Sequence, residues 1–167
     1  MILEPQLLRA AILVINSKIV KGIQEDAGRE DLERIFRDAN IEICHYEVVK
    51  DEQTTIQDHL IELCDVQNVN VVLTVGGTGV RPTDWAPEAT KQVIDKEIPG
   101  IGEAMRTESL KKVKTAMLSR GTAGIRGTTL IVNLPGSPRG ARENLSVFFP
   151  ILDHTLSKIS GGIYTSG

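Results

Sequence analysis

The run Val69 to Val75 constrains this chain most: it is strongly β-branched, and it stops abruptly on Gly76-Gly77-Thr78-Gly79. A run of that character reads as a strand buried on both faces, which requires a sheet covered by helices on both sides. Earlier segments repeat the theme. Ala11 to Ile15 is a continuous apolar run bounded by Asn16-Ser17, and residues 16 to 28 read as a polar loop. Leu32, Ile35, Phe36 and Ala39 recur at helical spacing, so a first amphipathic helix is predicted over roughly 29 to 39. Ile41 to Val49 reads as a second strand, and Ile56, Leu60, Ile61, Leu63 and Cys64 mark the stripe of a second helix, with Asp51 or Thr54 available to cap it.

Beyond the glycines, Pro87 sits where a first helical turn tolerates it, and a further helix is predicted from Gly100 to Leu110. Lys114 to Leu134 is predicted to hold two strands around a loop at Gly121 to Gly127, the better strand being Thr128 to Leu134. Pro138 opens the last helix, and Pro150 predicts a kink or break near Phe149. Strand and helix alternating in this way specify the α/β class: three α/β/α layers, with a mostly parallel sheet and helices on both faces.

The 167 residues suit a single domain over 1–167, with no linker rich enough in Pro or Ser to divide it. A net charge of −3 argues against the broad basic surface of a general nucleic-acid binder. Cys44 and Cys64 are too few for a disulfide framework and wrongly spaced for zinc, so two buried thiols are expected. The apolar run Ala10 to Ile15 is short for a signal peptide, and no stretch approaches the roughly 20 apolar residues of a membrane span. A cytoplasmic protein is expected.

Glycines directly after a parallel strand let main-chain N–H groups approach a phosphate without side-chain obstruction. The loop is neither a P-loop, since no Gly-Lys-Ser/Thr follows Gly79, nor a dinucleotide fingerprint, since position 82 is Pro82. Leu134-Pro135-Gly136-Ser137-Pro138 is a second strand-to-helix turn, where Ser137 can cap the helix and its first N–H groups can receive an anion. Asp51 and Asp84 each have a local reading as helix caps. In an open parallel sheet, however, ligands bind outside the carboxyl ends of the strands. Both aspartates and both loops fall on that edge, where two carboxylates beside phosphate-binding loops suit a Mg²⁺–nucleotide site. His45, His59 and His154 lack metal-ligand spacing, Arg106 with Lys111, Lys112 and Lys114 reads as a solvated basic face, and Trp85 could flank the site.

The segments GGTGVRPTDWAPEAT (76–90), SRGTAGIRG (119–127) and NLPGSPRG (133–140) resemble the MoaB/Mog family of molybdenum cofactor biosynthesis. The resemblance runs from about residue 10 to 158 and implies a mixed, mostly parallel sheet between helices. It implies that the terminal phosphate of molybdopterin attacks the α-phosphate of Mg-ATP, giving adenylyl-molybdopterin and pyrophosphate. The functional aspartates of the family then fall on Asp51 and Asp84, as catalytic and Mg²⁺-binding residues, with the metal on either or both. Substrate and nucleotide binding falls on Gly76, Gly77, Thr78, Gly79, Ser119, Gly124, Pro135, Gly136 and Ser137. A homo-oligomer, trimer or hexamer, is implied, with a molybdenum-insertion protein as downstream partner and no nucleic acid or membrane. Asn16-Ser17 stands where the family usually carries Ser-Asp, and Thr83-Asp84 where it commonly carries Arg-Asp. These departures motivate the alternative of a molybdopterin carrier that does not adenylylate.

Overall fold

The computed structural model describes residues 7–161. Its six strands are β1 (Arg9–Ile15), β2 (Glu42–Val49), β3 (Val71–Val75), β4 (Lys96–Glu97), β5 (Ala123–Arg126) and β6 (Thr129–Leu134), in the sheet order β2-β1-β3-β6-β5-β4. The pairs β1–β2, β1–β3 and β3–β6 are parallel, whereas β5 runs antiparallel to both β6 and β4. The sheet is therefore mixed, with a parallel half and an antiparallel edge.

Alternation along β1 sorts the core into two layers. Ala10, Ile12 and Val14 face α2 (Arg29–Asp38), α5 (Pro99–Leu110), α6 (Pro138–Phe148) and α7 (Leu152–Ile159), whose Leu32, Phe36, Met105, Leu145 and Leu156 pack there. Ala11, Leu13 and Ile15 face α3 (Gln53–Ile61) and α4 (Ala86–Val93) through Ile56, Leu60, Ala89 and Val93. Successive side chains of a strand point to opposite faces, so every residue of β3 is enclosed. This is the three-layer arrangement the β-branched runs demand.

Several expectations are revised. The segment 16–28 is not wholly loop: one helical turn, α1 (Ser17–Val20), starts it, capped by Asn16 Oδ1 accepting from the N–H groups of Lys18 and Ile19. The first of the two strands expected between Lys114 and Leu134 lies inside the predicted glycine loop. Lys114–Leu118 is a 3₁₀ turn, β5 covers Ala123–Arg126, and Gly127, at φ +57°, makes the hairpin bend. Gly121 and Gly124 are small for packing: a Cβ on Gly124 would meet Ile94 Cδ1 at 2.6 Å, and one on Gly121 would meet Asn133 O at 3.1 Å. Of the thiols, Cys64 is buried, which pushes its pKa up to about 11, but Cys44 is only half-buried and donates to Ala10 O. The break at Pro150 appears as a 3₁₀ turn, Phe149–Ile151, between α6 and α7.

Two features hold the carboxyl edge of the sheet. Asn133 is 1% exposed; its Nδ2 donates to Thr74 Oγ1 on β3 and to Thr90 Oγ1 on α4, both at 2.9 Å, while its Oδ1 accepts from Thr122 N–H at 3.2 Å. One amide thus ties β6 to its neighbouring strand, to a helix and to the lead-in of β5. The second is the backbone of Gly76, at φ +102°. A Cβ there would lie 2.6 Å from Ile15 O, and one on Gly136 would lie 3.2 Å from Gly76 Cα. The ends of β1, β3 and β6 therefore meet backbone to backbone.

Asn133→Ala leaves the Thr122 N–H without its buried acceptor and removes the donor to two buried hydroxyls. It should lower the free energy of urea unfolding by about 3 kcal/mol, and a loss below about 1 kcal/mol would show that the network repairs itself. Gly76→Ala combines a left-handed φ with a backbone clash, so a loss of at least about 2 kcal/mol is expected in the same measurement.

Candidate active site

The strand order turns around between β1 and β3, since the chain places β2 on one side of β1 and then β3 and β6 on the other. At such a switch point the loops leaving neighbouring strands diverge and open a crevice. A cavity of about 560 Å³ lies there. Asn16 and Ser17 after β1, Asp51 after β2, Gly76 and Gly77 after β3, and Gly136 and Ser137 after β6 all line it.

Asp51 is not a helix cap. The N-cap of α3 is Glu52, and its carboxylate accepts from the Thr54 and Thr55 hydroxyls. Asp51 instead makes a reciprocal pair with Ser17, which also lines the cavity. Its Oδ2 accepts from Ser17 N–H at 2.8 Å, and its own N–H donates to Ser17 Oγ at 2.8 Å. This fixes the carboxylate against the first turn of α1 and leaves it lining the cavity.

The glycine loop contributes backbone. Gly76 N–H donates to Leu134 O at 2.9 Å, prolonging the β3–β6 ladder, and so is not free for a ligand. Gly77, at φ +69°, lines the cavity, and its N–H donates to no group among the described residues. Across the cavity, Ser137 Oγ accepts from Gly140 N–H at 3.0 Å and caps α6, whose N-terminal end therefore borders the same space. Thr78, Gly79 and Asp84 are not part of this lining, whereas Arg81 and Thr83 of the same loop are.

Asp84 does not cap α4 either; the N-cap is Trp85, with no side-chain bond. The Asp84 side chain is 1% exposed. Its Oδ2 accepts from the Arg81 N–H at 2.9 Å and lies 3.4 Å from Arg81 Nε, while its Oδ1 has no partner among the described residues. A carboxylate oxygen buried without a donor is costly, and it calls for a partner brought from outside the described residues.

The remaining sequence-derived candidates lie elsewhere. Pro135 belongs to the turn but not to the lining, Ser119 accepts from Gly121 N–H at 3.4 Å, and Gly124 is buried in β5 against Ile94. The basic cluster disperses: Lys111 pairs with Glu108, Lys112 with Glu143, and Arg106 donates to Gly121 O. Trp85 is outside the lining. His59 bonds Thr55 O and faces Glu47, His45 bonds Gln67, and His154 is exposed.

Sequence reasoning missed one wall of the cavity, formed by residues 24–28 and Tyr46. Tyr46 Oη donates to Asp26 Oδ2 at 2.5 Å, and the Arg29 guanidinium lies 4.2 Å from the centre of the Tyr46 ring. Burial first, and the Asp26 hydrogen bond second, push the phenol well above its ordinary pKa, so it remains a donor to Asp26. The only sequence signal was an aromatic residue on a strand leading to this edge.

Residues 11–154 match the family described as a probable molybdopterin binding domain. A molybdopterin adenylyltransferase of Helicobacter pylori strain J99 is 41% identical over 158 residues, covering 93% of this chain and 90% of that protein. The molybdopterin adenylyltransferase of Escherichia coli K12 is 41% identical over 140 residues, covering 83% of this chain and 72% of that protein. Among solved structures, the molybdopterin biosynthesis enzyme MoaB of Thermus thermophilus superposes with a TM-score of 0.89 at 41% identity, over 95% of this chain and all of that one. The Mog protein of Mycobacterium ulcerans gives a TM-score of 0.87 at 35% identity, over 93% and 99% of the two chains. With the family matching residues 11–154 and the fold shared along almost its whole length, this chain belongs to the molybdopterin-binding domain family.

Proposed function

We propose that this chain is a molybdopterin adenylyltransferase: the terminal phosphate of molybdopterin attacks the α-phosphate of ATP, and pyrophosphate leaves. The observation that carries the reading is the cavity at the switch point, bordered by two strand-to-helix turns and faced by Asp51. Relatives near 40% identity that bear this activity in their names support it.

The chemistry asks little of covalent catalysis. Two anionic phosphates repel each other and must be aligned, so catalysis consists of positioning and charge stabilisation. Gly77 N–H offers a main-chain donor, and the N-terminal end of α6, where Pro138 has no N–H and the Gly140 and Ala141 N–H groups already bond Ser137, adds its helix dipole. Arg81, largely exposed and lining the cavity, adds a positive charge beside Asp84. The two turns, Gly76 to Gly79 and Pro135 to Ser137, supply the phosphate sites in this reading, through Gly77, Gly136 and Ser137, which line the cavity.

Magnesium fits the residues present. Mg²⁺ prefers one or two carboxylates completed by phosphate oxygens and water. Asp51 presents a carboxylate to the cavity, and Asp84 carries a buried oxygen that lacks a partner among the described residues. One or both would hold the ion, which would neutralise charge developing on the phosphates. A homo-oligomeric, cytoplasmic enzyme passing its product to a molybdenum-insertion protein belongs to the same proposal.

The carrier reading rests on Asn16-Ser17. Asn16 nevertheless caps α1, and Ser17 tethers Asp51, so the corner is fully built around the carboxylate. That gives the catalytic reading the better support.

Purified protein with Mg-ATP and molybdopterin should release pyrophosphate; tight molybdopterin binding with no ATP binding by calorimetry would instead favour the carrier. Asp84→Asn keeps an oxygen to accept from Arg81 N–H and nearly the same shape. Turnover should fall at least ~100-fold while molybdopterin affinity and the unfolding midpoint stay near wild type. Normal turnover in that variant would remove Asp84 from the metal site.

A further inference from the structure

Arg120 lies between the 3₁₀ turn Lys114–Leu118 and β5, away from the cavity lining, yet it grips the loop that carries the site. Its main-chain N–H donates to Thr78 O at 2.8 Å. Its side chain then spans the loop. Nε donates to Gly79 O at 2.7 Å, Nη2 donates to Asp84 O at 3.0 Å, and Nη1 donates to the Glu88 carboxylate on α4. One guanidinium therefore pins both ends of the segment 79–84, while Glu88 orients the fork from the helix behind it.

The anchor is itself immobilised. Arg106 Nη1, on α5, donates to Gly121 O at 2.7 Å, and a Cβ on Gly102 would lie 2.6 Å from that same oxygen, so α5 packs directly on the segment next to Arg120. The loop needs such an external hold. Asp84 has only one satisfied carboxylate oxygen among the described residues, and its bonding partner, Arg81, belongs to the same loop. Bonds within a loop set its shape but not its place relative to the cavity. Gly76 ties the start of the loop to the sheet through Leu134 O, and Arg120 supplies the corresponding link for the segment 79–84.

Global stability is a poor account of this arrangement. Arg120 and Glu88 keep 39% and 32% of their side-chain surface exposed, and ion pairs of that kind contribute little. What the guanidinium provides, and an ammonium does not, is a rigid planar set of donors aimed in three directions.

We propose that Arg120 is a positioning residue for phosphoryl chemistry at this site, setting the Gly76 to Gly79 loop and the Asp84 carboxylate in register with the cavity. The role rests on the adenylyl-transfer reading, but the clamp itself can be tested without substrate.

In Arg120→Ala, kcat for pyrophosphate release should fall about 100-fold, the scale of a small misplacement of catalytic groups, while KM for ATP changes less than about 3-fold. Guanidinium added below denaturing concentrations should restore part of kcat. Arg120→Lys, which lacks the fork, should remain impaired. In the same alanine variant, hydrogen–deuterium exchange of amides 77–85 should accelerate, with exchange elsewhere and the unfolding midpoint unchanged. Wild-type kcat in Arg120→Ala overturns the proposal, and so does a loss of kcat that follows a loss of stability and resists guanidinium. If the wild-type protein releases no pyrophosphate, the adenylyl-transfer reading falls on that result alone. Amide exchange then decides the clamp, and unchanged exchange at 77–85 overturns it.

Discussion

The contact on which this structure depends is made by three lengths of backbone, with no side chain between them. Gly76 lies so close to Ile15 O and to Gly136 that neither Gly76 nor Gly136 has ordinary room for a Cβ. The consequence is geometric: β1, β3 and β6 end at the same level, and Gly76 N–H joins the β3–β6 ladder through Leu134 O. Any side chain at this point would part the strand ends and move both turns that border the cavity. Packed sheet ends deform little, so main-chain donors placed on them are held more rigidly than donors on a free loop. The site is therefore a property of the sheet first, with side chains arranged around it.

Those side chains are held by two different means. Asp51 is fixed by its own carboxylate, which accepts from Ser17 N–H while the Asp51 N–H returns a bond to Ser17 Oγ. Asp84 is fixed mainly through its backbone, with one carboxylate oxygen bonded inside its own loop and the other unpartnered among the described residues. The difference matters for chemistry. Both carboxylates are oriented through one bonded oxygen, but only Asp84 keeps a buried second oxygen with no partner among the described residues, and that oxygen gains most from a partner brought to it. The same site thus holds a preset carboxylate and an electrostatically unfinished one.

The legible parts of this fold were those whose physics is local. Burial on both faces makes a strand such as Val71–Val75 almost continuously apolar, and a proline ring inside a helical pattern, as at Pro150, breaks the helix there. Glycine was the ambiguous letter. At Gly76 and Gly77 it marks a positive φ, but at Gly121 and Gly124 it marks close packing, and the sequence writes both the same way. β4 has only two residues, too few to show any period. Asp51 read as a cap because its neighbours in sequence permitted one, whereas its partner, Ser17, lies 34 residues away. The Tyr46–Asp26 and Arg120–Asp84 bonds span 20 and 36 residues, so they become visible only when the fold brings those distant segments together.

The pair Asn16-Ser17 shows how a departure from a family pattern can be weighed physically. The corner after β1 needs an acceptor for the first N–H groups of α1 and a tether for Asp51. Asn16 Oδ1 meets the first need twice over, and Ser17 meets the second with both its N–H and its hydroxyl. Neither task requires a negative charge. What the neutral pair changes is the potential beside a cavity proposed to receive phosphates. One carboxylate fewer lowers the repulsion felt by an anionic ligand, and it also removes one candidate ligand for a cation. The balance shifts toward Asp51 as the carboxylate that the strand ends present to the cavity, beside Glu25 and Asp26 of the opposite wall, and toward main-chain donors as the means of holding phosphate.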